Sequence, residues 1–114
     1  MLIRLRESYP VAQDNVVLSV VVGDGQKSYS EVLLDGRRLA SGSQLPTIDL
    51  GPGTALEGRR LRITSTVADT NPDTNHTSIS YSLSGGVKDR TFALEHTVDQ
   101  PGDTVDYDAI FRLL

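Results

Sequence analysis

A chain of 114 residues with a formal charge of −4 and no cysteine is long enough to bury one core, and it excludes disulfides, thiolate metal sites and cysteine nucleophiles. Its acidic balance and few aromatics, four Tyr, two Phe and no Trp, argue against a nucleic-acid partner, which calls for a basic face and stacking platforms. No stretch approaches the roughly 20 apolar residues of a spanning helix, and the start, MLIRLRESYP, is too charged for a secretory signal; with the missing cysteines this favours a cytoplasmic setting.

Residues 2–7 alternate Ile3 and Leu5 with Arg4 and Arg6, a short strand that Pro10 stops. Asn15 to Gly23, NVVLSVVVG, carries valine on both faces. That pattern predicts a central strand covered on each side. Asp24-Gly25 supplies a turn. Tyr29 to Leu34 is the third strand, and Asp35-Gly36 between apolar runs signals a tight hairpin into Arg37–Ala40. After the loop SGSQLP, Thr47 to Leu50 is a short strand that Gly51-Pro52-Gly53 should end.

Arg59 to Gly86 carries the densest pattern. Leu61, Ile63 and Val67 lie on one face of its first arm, and Ile79, Tyr81 and Leu83 alternate with serines in its second. A period of two puts each apolar set on a core face, and the expectation is a half-buried antiparallel hairpin with the polar run Asp69–Asn75 as its loop. Gly85-Gly86 breaks the chain. Thr91 to Val98 then aligns Phe92, Leu94, His96 and Val98, and after the turn at Pro101-Gly102 the last strand, Thr104 to Leu113, aligns Val105, Tyr107, Ala109, Phe111 and Leu113.

About eight or nine short strands with regular turn signals and no convincing helix predict an all-β fold in one domain, residues 1–114. The expected architecture is a sandwich of two antiparallel sheets, immunoglobulin-like or jelly-roll-like, with a closed barrel as the alternative. Leu18 should sit mid-strand, its face shared with Val16 and Val20, against Ile63, Ile79 and Phe111.

Chemistry is thinly signalled. Asp69, Asn71, Asp73 and Asn75 place oxygen-bearing side chains at alternate positions, the spacing of calcium loops. Thr74 stands where the sharp turn needs Gly, however, and Ser80 stands where a bidentate Glu should close the site. Turn formation through side-chain-to-backbone hydrogen bonds is the plainer reading. Asn75-His76-Thr77 has the form of a glycosylation acceptor, which matters only in a secreted protein. His96 aligns with core residues and should be partly buried, whereas His76 should be exposed. Asp106 and Asp108 share a strand face at roughly 7 Å, resembling a hydrolase carboxylate pair, but a solvated face explains them more simply. Gly23-Asp24-Gly25 lacks the last glycine and the helix of a phosphate loop. Arginines 37, 38, 59, 60 and 62 form either a basic stripe or one side of a salt-bridged sheet facing Glu31 and Asp49.

The function expected from this pattern is a non-enzymatic binding or assembly module that presents loops or an edge strand to a protein partner or to a second copy. The alternative is a calcium-dependent binder using the Asp69–Asn75 loop. A small hydrolase built on Asp106 and Asp108 comes last. The last strand carries apolar residues on both faces, so Ile110, Arg112 and Leu114 are the candidate partner-binding residues.

Overall fold

The computed structural model describes residues 1–114. Nine strands and one helical turn follow in order: β1 (Leu2–Tyr9), β2 (Asn15–Val22), β3 (Lys27–Leu34), β4 (Arg37–Gly42), β5 (Ile48–Pro52), α1 (Gly53–Leu56), β6 (Arg60–Ala68), β7 (His76–Ser84), β8 (Arg90–Thr97) and β9 (Thr104–Leu113). They form a five-stranded sheet in the order β1-β9-β6-β3-β4 and a four-stranded sheet in the order β5-β2-β7-β8. The two sheets pack on one shared core, a β-sandwich, and neither closes into a barrel.

The period-two reading locates the core. Leu18, Val16, Ile63, Ile79 and Phe111 are all buried, and Val20 packs against them half-exposed. Phe111 sits between Tyr81 and Phe92, with ring centroids 5.9 and 5.1 Å away. Such edge-on and tilted arrangements suit the ring quadrupoles. Two pairs of buried hydroxyls satisfy each other, since an unpartnered hydroxyl in the core is costly. Ser30 and Ser65 hydroxyls lie 2.7 Å apart, and Thr77 Oγ1 lies 2.6 Å from the Tyr107 hydroxyl.

Four expectations need correction. The predicted β6–β7 hairpin does not form: β6 pairs with β3 and β9, while β7 pairs with β2 and β8. Alternation identifies each strand's core face but not its neighbour, and the intervening loop carries the chain across the sandwich. The first sheet is not wholly antiparallel, because β1 runs parallel to β9 along its whole length. No local turn joins these strands, so none imposes the opposite direction. The outer face of β2 is uncovered, with Val21 57% exposed; a two-layer fold has no third layer to cover it. Finally, Gly51 and Pro52 stay paired with β2 after a bulge, because β5 is an edge strand where proline's missing donor faces outward.

The turn chemistry holds. Asp35 and Gly36 both adopt positive φ (50° and 82°) at the β3–β4 hairpin, as a tight hairpin turn requires. Asp24 and Gly25 adopt the same geometry (60° and 64°), but there the chain passes from one sheet to the other.

Candidate functional site

The loop between β6 and β7 is organised by one buried side chain. Gln26, just before β3, accepts from the backbone N–H groups of Thr70 and Asn71 at 2.8 Å each. Its amide nitrogen donates to Asp69 Oδ1 (2.9 Å), His76 O (2.9 Å) and Thr74 O (3.2 Å). Sequence reasoning missed Gln26, because a single polar residue beside a turn carries no periodic signal.

The four proposed cation ligands are placed differently from one another. Asn71 is engaged in turn formation, its Oδ1 accepting from Asp73 N at 3.0 Å and its Nδ2 donating to Asp24 O at 2.8 Å. Asp73 is exposed and Asn75 half-buried. Asp69 is only 3% exposed, and its Oδ2 has no hydrogen-bond partner. No three His, Asp or Glu side chains converge in metal-binding geometry anywhere in the chain.

On the outer face of the five-stranded sheet, Asp108 accepts a two-point hydrogen bond from Arg62, Nε to Oδ1 at 2.9 Å and Nη2 to Oδ2 at 3.1 Å. That carboxylate holds the guanidinium pKa above its usual value. Asp106 accepts from Thr66 Oγ1 at 2.7 Å. The expected arginine partners were others. Glu31 lies opposite Thr64 and Ser41, and Asp49 lies on the other sheet, where the Asn15 side chain and the Gly51 N–H hold its pKa below the usual range. His76 is half-buried rather than exposed; its Nδ1 lies 2.8 Å from Thr97 Oγ1 and its Nε2 3.4 Å from Glu95. His96 is half-buried, as expected of a strand residue in register with Phe92.

Ile110 and Arg112 project from β9, which is not an edge: β1 and β6 occupy both of its sides. Leu114 exposes its side chain, but its N–H donates to Tyr9 O (3.0 Å) and its carbonyl accepts from Val11 N (2.8 Å). A partner strand therefore finds no free backbone on the C-terminal strand.

Free backbone lies elsewhere. β5 pairs with β2 only from Asn15 to Leu18 and leaves Ser19–Val22 without a neighbour on that side. Gly23 N donates to Ser78 O on β7 at 3.0 Å. Strand alternation therefore directs the N–H and C=O groups of Val20 and Val22 away from β7, toward the vacant side. Beside this edge runs a groove of about 760 Å³ lined by Val20, Val22, Gln26, Ser28, Ser30 and Leu45. Its far wall is the crossover from β4 to β5, with Ser43 O accepting from Ser28 Oγ at 3.2 Å. Valine side chains below, a hydrogen-bonding edge beside them and polar rims make a surface suited to an extended chain. No family model, curated protein or solved structure matches the chain, so its assignment rests on this geometry.

Proposed function

We propose that this protein is a non-enzymatic binding module that receives an extended segment of a partner protein alongside β2. The observation carrying this reading is the unpaired Ser19–Val22 edge above a valine-lined groove. Four vacant positions span about 13 Å at a strand's rise. An incoming strand would continue the line of β5, hydrogen-bond to Val20 and Val22, and rest alternate apolar side chains on Val20, Val22 and Leu45. Main-chain bonds give such complexes affinity, and the alternate side-chain positions give them selectivity.

The test is an NMR titration with a peptide of about ten residues alternating valine and threonine, long enough to span the vacant edge, with a glutamate at each end. Shifts should concentrate at Val20, Val22, Ser28 and Leu45. The same peptide N-methylated at every valine and threonine, which removes the donors of both edges, should not bind. Equal binding of both peptides, or shifts on another face, would overturn the reading.

A second reading, calcium-dependent binding through the 69–75 loop, draws on Asp69 Oδ2, a buried carboxylate oxygen without a protein partner. Under it, millimolar calcium should raise the Tm, and Asp69→Asn should abolish the rise. An unchanged Tm would leave the strand-acceptor reading alone.

A further inference from the structure

The outer face of the five-stranded sheet carries a cluster of arginines that the peptide groove does not use. Arg60 of β6 lies directly opposite Arg112 of β9, and Arg6 of β1 lies opposite Ile110. Together with Glu7, Arg59 and Ile110 they line a depression of about 670 Å³. Like charges in direct cross-strand register destabilise a sheet. The chain supplies little relief: Glu7 is the one carboxylate in the lining and makes no ion pair with Arg6, Arg60 or Arg112, and Arg59 only approaches Asp35, at 3.7 Å with both side chains half-exposed.

The complementary charge lies at the opposite end. The loops 23–26, 69–75 and 98–103 contain Asp24, Asp73, Asp99 and Asp103, all exposed, and neither lysine nor arginine. The register places these loops beyond the Ala68–Thr104 end of the sheet, whereas Arg60 and Arg112 mark its other end. The molecule is 45 Å long, and charges farther apart than about 10 Å are screened from each other at ordinary salt. The two ends therefore cannot relieve each other within one molecule. They can between molecules.

We infer that the arginine depression receives the aspartate loops of a second copy, head to tail. Arg6, Arg60 and Arg112 form the acceptor, and Asp73, Asp99 and Asp103 belong to the donor. Such a contact uses different surfaces on its two partners, so it propagates into open chains rather than closing as a dimer. With end dimensions of 23 × 21 Å, the contact falls below the ~800 Å² per partner of stable complexes. The association should therefore depend on both concentration and salt.

Sedimentation velocity on the full chain tests this. In about 20 mM salt the weight-average sedimentation coefficient should rise with protein concentration, and in about 500 mM salt it should stay at the monomer value. Arg60→Glu with Arg112→Glu should be monomeric in both, as should Asp73→Lys with Asp103→Lys, each verified as folded by its β-type circular dichroism. Mixing the two double variants sets lysine loops against glutamate depressions and native aspartate loops against native arginine depressions, and should restore concentration-dependent association in chains that alternate the two variants. A wild type that stays monomeric at low salt, or one whose association survives either charge reversal, would overturn the inference.

Discussion

The two halves of β2 are close in composition, Asn-Val-Val-Leu against Ser-Val-Val-Val, yet they meet different fates. In the first, β5 closes the outer edge, and Val16 and Leu18 are wholly buried. In the second the same strand, in register with the same β7, keeps one edge open and leaves Val20 and Val22 half-exposed above a groove. One ladder therefore suffices to make the strand, but burial depends on what covers it. The difference comes from β5, which is short and reaches its strand only after the crossover from the other sheet.

Core substitutions sharpen the contrast. Leu18→Ala in the closed half should cost roughly 2–5 kcal/mol, because a filled site that cannot collapse loses both transfer energy and packing. Val20→Ala, two residues on, should cost about 1 kcal/mol or less, since its side chain is already partly in water. Equal costs in urea unfolding would show that the open half is covered after all.

Gln26→Leu should come between them. Removing an amide that holds Asp69 and four backbone groups of the loop strands buried polar atoms at about 1–3 kcal/mol. Exchange of the Thr70 and Asn71 amides should accelerate, while that of Leu18 changes only with global stability.

Smaller effects belong to two core tyrosines, Tyr81 on β7 and Tyr107 on β9. Tyr81, opposite Val20, is buried with no partner for its hydroxyl, whereas the Tyr107 hydroxyl pairs with Thr77. Tyr81→Phe should therefore be neutral or stabilising by up to about 1 kcal/mol, and Tyr107→Phe should cost about that much. Burial also raises both hydroxyl pKa values above the ordinary 10.0. Because the folded pKa exceeds the unfolded one, what these two hydroxyls contribute to stability is fully present below the ordinary tyrosine pKa and is lost as pH rises through it toward the raised folded values. Tyr81→Phe should flatten that loss in alkaline melts.

The sheet content and core were legible because inward positions recur at every second residue: of the residues forecast to surround Leu18, all are buried except Val20. Sheet membership was not, as β6 and β7 demonstrate. Alternation is a property of one strand, whereas pairing depends on where a polar loop takes the chain next. The exposure of Val21 was illegible for a related reason, since valine on both faces is equally compatible with a covered strand and with an open one. The Asp69–Asn75 loop was legible as turn chemistry in Asn71, but its anchor, Gln26, is more than 40 residues away in sequence. The arginine cluster was half-visible: Arg59 and Arg60 were in the foreseen stripe, but Arg112 joins it only through the β6–β9 pairing and Arg6 only through the parallel β1–β9 pairing.

Amide hydrogen exchange along β2 in the monomeric protein tests the central claim most directly. The amides of Val16, Leu18, Val20 and Val22 all point to the same side of the strand. Those of Val16 and Leu18 should exchange slowly, near the limit set by global unfolding, while those of Val20 and Val22 exchange orders of magnitude faster and slow when the valine–threonine peptide is added. Uniform protection across all four amides in the free monomer would contradict the account, because it would mean that the edge offered to a partner is already closed.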